Sequence, residues 1–192
     1  MSDKPDEKDL PTSPAVGKHL FDARKILITG GIDDDVARDV VSRLLAMAHV
    51  SDDPITVFIS SPGGHVESGD MIHDAIKFIK PEVRVVGTGW VASAGALIYA
   101  AAKKENRYSL PNTRFLLHQP SGGMRGTAED ISIQAKEIIR MRGRLNQIFA
   151  DATGQPIARI EQDTDRDFWM SVEEAVEYGL ATHVIQNESE IK

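Results

Sequence analysis

The order of hydrophobic segments predicts an α/β fold with a mostly parallel sheet. From Lys25 onward, short β-branched runs alternate with longer segments of helical period, and glycine or proline punctuates the joints. This alternation gives repeated β-α units, and one helical segment is far longer than the others.

"KILITG", from Lys25, is a short β-branched run and opens the series as a strand. "IDDDVARDVVSRLLAMA" follows as a helix, with Val36, Val40, Leu44 and Ala48 on one face and Asp33 to Asp35 at the positive end of its dipole. "ITVFIS", Ile55 to Ser60, is a second buried strand, closed by the turn "SPGG". A helix from His65 to Ile79 repeats apolar residues at Ile72, Ala75, Ile76 and Ile79 and stops before Pro81. "VRVVGTG" is the next strand, ending at Gly89 and feeding the apolar run Trp90–Ala102, and "TRFLLHQ" is another. The long helix spans about Thr127 to Ala152, with Ile131, Ala135, Ile138, Arg142, Leu145 and Phe149 along one stripe, and Gly154 and Pro156 end it. Ser171 with Glu174 matches a capping box for a last helix ending at Gly179, and "ATHVIQ" is a last strand.

Ahead of these elements, residues 1–17 are polar, acidic and proline-containing, with no apolar core of a secretory signal; they read as a disordered arm before a single domain over 18–192. The run Trp90–Ala102 is too short to cross a bilayer, which takes roughly 20 residues, and Lys103 and Lys104 close it. A net charge of −7 with scattered Lys and Arg excludes the basic footprint of a nucleic-acid binder. The absence of cysteine removes disulfides, thiolate metal sites and cysteine nucleophiles together.

Ser93 is the one hydroxyl in the small apolar run "GWVASAGALIYAAA". At a strand-to-helix joint it reads either as an ordinary N-cap or as a nucleophile beside unpaired helix amides. The hydrolase elbow G-x-S-x-G is not met, because Val91 stands in the place of the first glycine. "SPGG" reads as a plain turn or as backbone able to aim an N–H into a site. His118 ends a strand just before "SGG", where sites of α/β sheets gather, and is otherwise a satisfied histidine. His65 and His73, with Asp70 and Asp74, share a helix, but the pattern reads as a solvated face, and no metal site is expected. In "DTDRDFWM", a carboxylate placed beside His118 would orient the imidazole; elsewhere it would be a solvated loop residue.

Together, "ISSPGG", "ASAGALIYAAA", "LPNTRFLLHQPSGG", "DISIQAKEI" and "IEQDTDRDFWMSVEEAVEYGL", in this order, closely resemble the Clp protease proteolytic subunit (ClpP) family, over roughly Ile26 to Ile185. The resemblance implies a crotonase-like α/β fold with a long protruding helix and a Ser-His-Asp serine endopeptidase acting on unfolded proteins and peptides. It implies Ser93 as nucleophile, His118 as base, Asp167 as its orienting partner, and the N–H groups of Gly64 and Ala94 as oxyanion hole. It further implies stacked heptameric rings with Asp165 and Arg166 at ring contacts, and a cytoplasmic AAA+ unfoldase partner docking at Phe58 and Phe78. No cofactor is expected in this chain; ATP belongs to the unfoldase.

The chain departs from the family pattern in four places. Ala94 replaces the usual Met after the nucleophile, Thr127 the usual Gln of the ring-contact region, and Thr56 an aromatic of the docking cleft, while "PAVGKHLFDARK" stands where an axial-loop segment is usual. The rival readings are a signal-peptide-peptidase relative, which predicts a Ser-Lys dyad and an anchor, and a crotonase-fold acyl-CoA enzyme or non-catalytic ring subunit, which predicts a dispensable Ser93.

Overall fold

Alternate burial along the first strands shows which face of the sheet carries the core. In the computed structural model, which describes residues 14–123 and 125–192, helix α1 (Pro14–Asp22) leads into β1 (Lys25–Ile32). β1 buries Ile26, Ile28 and Ile32 and exposes Leu27, the period-two signature of a strand with one covered face. Helix α2 (Asp34–Val50) then crosses to β2 (Ile55–Gly64), and α3 (Val66–Phe78) crosses to β3 (Val83–Ala92). Asp33 caps α2 by accepting the Val36 N–H at 2.9 Å, which satisfies one of the four amides a helix start leaves unpaired. The buried face of α2 is Ala37, Val40, Leu44 and Met47, one residue round from the expected Val36-to-Ala48 stripe.

The remaining elements are α4 (Ala94–Ala100), β4 (Arg107–Ser109), β5 (Arg114–Leu117), α5 (Ala128–Thr153), α6 (Ile157–Asp163), β6 (Phe168–Met170), α7 (Val172–Tyr178) and β7 (His183–Val184). Among the described residues the seven strands form one sheet in the order β1-β2-β3-β4-β7, with β5 branching from β3 and β6 from β5. Every pairing is parallel except β5 with β6. β3 serves two neighbours in succession: Val85 to Gly87 pair with β4, and Trp90 to Ala92 pair with β5.

Three expectations change here. "SPGG" is not a turn closing β2: β1 and β2 stay paired through Gly31–Gly63 and Ile32–Gly64, after a register shift that the glycines accommodate. β3 does not end at Gly89 but runs on to Ala92, so the strand itself delivers Ser93. Of the arm expected over 1–17, Pro14 to Gly17 form the first turn of α1, and residues 1–13 lie outside the described residues. Proline at a first helical position costs nothing, since its missing N–H would have had no partner there. The short elements β4, β6 and α6 were not anticipated, being too brief to show a period.

The centre of the core is α4, whose seven residues are all buried. Small side chains let it lie close to its neighbours: a Cβ added to Gly69 of α3 would stand 3.1 Å from the Ala94 Cβ, and one added to Gly95 3.3 Å from that of Ser61. Tyr99, fully buried, donates its hydroxyl to the Tyr108 carbonyl at 2.9 Å and meets Phe115 edge-on at 5.2 Å. Arg107 is also buried and donates to the carbonyls of Ala100, Ala102 and Ala152, closing the C-terminal ends of α4 and α5. Burial pulls its guanidinium below the ordinary arginine value. These bonds set α4, and so Ser93 at its start, in one position relative to the sheet.

Candidate active site

The C-terminal ends of β2, β3 and β5 converge, and their next residues meet. Ser93 follows β3, His118 follows β5, and Gly63 and Gly64 end β2. Asp167 arrives from the opposite direction, just ahead of β6. The antiparallel register pairs Phe115 with Met170, Leu116 with Trp169 and Leu117 with Phe168; the next step of the ladder sets His118 opposite Asp167. The side chains close that step. His118 Nε2 lies 2.8 Å from Ser93 Oγ, and His118 Nδ1 lies 3.1 Å from Asp167 Oδ1.

Ser93 is not an ordinary helix cap. Its side chain makes no cap bond to α4, and its backbone takes φ 55° and ψ −120°, one of two positive-φ non-glycine residues among those described. Such a backbone costs about 1–3 kcal/mol and persists only where the surroundings enforce it. The surroundings here are two bonds and a gap. Ser93 N–H donates to the Leu116 carbonyl at 3.0 Å, and its own carbonyl accepts the first α4 bond from Leu97 at 3.1 Å. The gap is Gly63: a Cβ there would stand 2.5 Å from Ser93 Cβ and 2.9 Å from the Ala92 carbonyl oxygen. The clearance that an elbow motif finds in its own first glycine comes here from a neighbouring strand.

Ala94 opens α4, so its N–H has no carbonyl within the helix to bond. Of the two glycines of "SPGG", Gly63 donates its N–H to Ser61 Oγ at 3.0 Å, and Ser61 in turn donates to the Gly30 carbonyl at 2.6 Å. Gly64 stands next along the chain, free of that turn bond. Its Cα is pressed against β1, where an added Cβ would lie 2.2 Å from the Ile32 oxygen.

The loop carrying Asp167 is held from two sides. Gln119, next to His118, donates its N–H to the Thr164 carbonyl at 2.7 Å and its side-chain amide to the Asp165 carbonyl at 2.7 Å. Thr164, fully buried, has its Oγ1 3.0 Å from the buried Asn146 Oδ1, and Arg142 of α5 donates to Asp165 Oδ1 at 3.2 Å. Asp165 is thus bonded within the chain, while Arg166 is exposed and donates to the Asp165 carbonyl at 3.1 Å. A recess of about 20 Å³ beside Ser93 is lined by Ala94, Val66, Leu97, Leu145 and Phe149, with His118 and Pro120 at its rim.

Phe58 and Phe78 do not line one pocket among the described residues. Phe58 lines an apolar pocket of about 290 Å³ on the outer sheet face with Leu20, Leu27 and the Lys25 stem. Phe78, at the end of α3, is 82% exposed and lines no part of that pocket. His19 and His49 lie in α1 and α2, and His183 opens β7 with its ring stacked on Tyr108 at 4.9 Å. His65 and His73 gather no metal-binding set among the described residues, and Asp70 instead takes a two-pronged bond from Arg144 at 2.5 and 2.6 Å. No described helix is long and apolar enough to cross a membrane. The residues sequence reasoning passed over are Gly63, Gln119, Asn146 and Thr164; all but Asn146 lie inside the quoted motifs and so left a signal.

The profile of the Clp protease family matches residues 11–188. The chain belongs to the Clp protease family. It is 58% identical to the ATP-dependent Clp protease proteolytic subunit 3 of Rhizobium etli over 184 residues, covering 96% of this chain and 95% of that one. It is 61% identical to the Clp proteolytic subunit of Paracoccus denitrificans over 182 residues, covering 95% and 92%. Among solved structures, ClpP1 from Listeria monocytogenes superimposes with a TM-score of 0.84 at 55% identity, over 92% of this chain and 99% of that one. The expected ClpP fold is therefore the observed one, and at this identity the chain is a serine peptidase of the Clp type.

Proposed function

We propose that this chain cuts peptide bonds with Ser93 as nucleophile, His118 as general base and then acid, and Asp167 as orienting carboxylate. The observation that carries the reading is the unbroken relay from Ser93 Oγ through His118 to Asp167, at 2.8 and 3.1 Å. With Nδ1–H donated to Asp167, Nε2 is left as the acceptor that takes the Ser93 proton when Oγ attacks the carbonyl carbon. The carbonyl oxygen becomes an oxyanion, for which the Gly64 and Ala94 N–H groups are the donors. His118 then gives its proton to the departing amine, leaving an acyl-Ser93 that water resolves by the same relay run in reverse. The apolar recess beside Ser93 suits a small apolar side chain next to the cut, with Ala94 leaving room where a larger residue is usual in the family.

The same reading makes the chain the proteolytic part of a larger machine. Stacked heptameric rings would enclose the sites, so that a AAA+ unfoldase, using ATP, threads in folded substrates in the cytoplasm. Arg166 and Asp165 lie one and two residues before Asp167, a spacing that suits transmission of ring contact to the triad. Phe58 and Phe78, which line no common pocket among the described residues, would form a docking cleft where neighbouring copies meet. An intact Ser-His-Asp relay favours this reading over an acyl-CoA enzyme or an inert ring subunit.

Ser93→Ala tests it. Turnover of a fluorogenic peptide should fall by about 10⁴–10⁶-fold, since triad members act as a unit, and fluorophosphonate labelling should vanish. Unchanged turnover would end the peptidase assignment of Ser93.

A further inference from the structure

A second serine, histidine and aspartate meet just beyond Gly64, at the start of α3. Ser68 Oγ donates to Asp34 Oδ1 at 2.6 Å, and His65 Nδ1 lies 2.9 Å from Ser68 Oγ and 3.1 Å from Asp34 Oδ1. On its other side, His65 Nε2 lies 3.1 Å from Glu67 Oε2. This set is not another nucleophile. Ser68 is 2% exposed and gives its proton to the carboxylate, so no substrate can reach it and no base stands ready to activate it.

Its position suggests a different use. Asp34 begins α2, two residues after Ile32; His65 immediately precedes α3 and directly follows Gly64. Between them the two chain segments are in tight backbone contact. His65 N–H donates to the Ile32 carbonyl at 2.8 Å, and Gly64 faces Ile32 at the end of the β1–β2 ladder. Gly64 therefore sits inside a closed loop of bonds: the ladder on one side and the Asp34–Ser68–His65 cluster on the other. The hydrogen bonds from Ser68 and His65 hold the Asp34 carboxyl below its usual range.

We propose that Asp34, Ser68 and His65 are positioning residues, a clamp that holds the Gly64 N–H at the place where the oxyanion forms. This rests on the assignment of Gly64 as an oxyanion donor. A donor of this kind acts only if it is in place before the charge develops, and a strand end is where backbone placement is otherwise loosest. The clamp fastens that end from the α2 side, while Ser61 fastens Gly63 to β1.

The test compares Asp34→Ala, Asp34→Asn, Ser68→Ala and the Asp34→Ala/Ser68→Ala double variant in the assembled protein, with Asp35→Ala as a neighbouring surface control. Asp34→Ala and Ser68→Ala should lower kcat about tenfold with KM unchanged, less than the ~10²–10³-fold loss of a whole oxyanion donor. A peptide boronate, whose tetrahedral oxygen occupies the oxyanion position, should lose affinity by the same factor. The double variant should lose no more than either single one, and Asp34→Asn, whose carbonyl still accepts from Ser68, should recover most of the rate. Wild-type kcat and boronate affinity in Asp34→Ala or Ser68→Ala would overturn the clamp, as would a rise in KM alone. So would a rate loss tracking only a lower melting temperature that Asp34→Asn does not restore. Ser93→Ala run in parallel separates the two levels: if it is inactive while the clamp variants are normal, the relay stands and the clamp alone falls.

Discussion

At Ser93, a side chain with useful chemistry is held on a backbone that serine does not choose. The strain at φ 55° is tolerated because β2 presents Gly63, not a bulkier residue, beneath the turn. Gly63→Ala therefore carries a double cost. The added methyl would stand 2.5 Å from Ser93 Cβ, and the alanine would have to keep φ 94°. Either β2 or the Ser93 turn must move, and a misplacement of about 1 Å in a reacting group costs on the order of 100-fold. Peptide turnover and the rate of fluorophosphonate labelling should both drop by about that factor, with the circular-dichroism spectrum unchanged. Labelling at the wild-type rate would show that the clearance at Gly63 is not what holds the nucleophile.

Helix α5 does two jobs along its 26 residues, and its sequence divides accordingly. Near its C-terminal end Leu145, Asn146, Phe149, Ala150 and Thr153 are buried, and Arg144 grips Asp70 of α3. Nearer its start the apolar residues have no core to enter: Ile131, Ile133 and Ile139 are 43%, 50% and 69% exposed. A Thr127–Asp130 capping box secures the free end, accepting the Asp130 N–H at 3.2 Å and the Thr127 N–H at 3.0 Å. Gly143 lies where the helix leaves the body, exposed, with nothing within 4 Å of an added Cβ. Glycine in a helix interior costs about 0.5–1 kcal/mol relative to alanine. Gly143→Ala should raise the thermal midpoint by roughly 2–4 °C, read by differential scanning calorimetry at one protein concentration. A lower midpoint would mean that Gly143 is needed for a bend or a contact between copies.

At the scale of the whole molecule, one sheet face and one helix stretch keep exposed apolar side chains among the described residues. The sheet exposes Leu27 and half-exposes Phe58 on the face away from α2 and α3, and the start of α5 exposes its isoleucines. Apolar surface collected in this way marks contact with other chains, which suits the proposed stacking of rings, with α5 as the contact to test. Ile139→Asp would place a charge in that contact. Sedimentation velocity should then show single rings in place of the stacked pair, and peptide turnover should fall with the loss of stacking, because Asp165 ties α5 to the loop of Asp167 through Arg142. An intact double ring of full activity would remove α5 from the ring contact.

Period and punctuation alone determined the β-α alternation, the long helix, the cap at Ser171 and the stops at Gly154 and Gly179, because these depend on neighbours within a few residues of each other. The motif resemblance pointed to Ser93, His118 and Asp167, although the local pattern had left each one open to a plain structural reading. Tertiary structure decided what depends on distant partners. It carried β2 through "SPGG" to Gly64, because pairing with β1 outweighs the local turn tendency of Pro-Gly. It supplied the missing elbow glycine from another strand, and it set Phe58, without Phe78, in an apolar pocket. It set His118 opposite Asp167, 49 residues apart, through a ladder of three residue pairs. No short window of sequence holds that information, because register arises only when two strands already lie side by side.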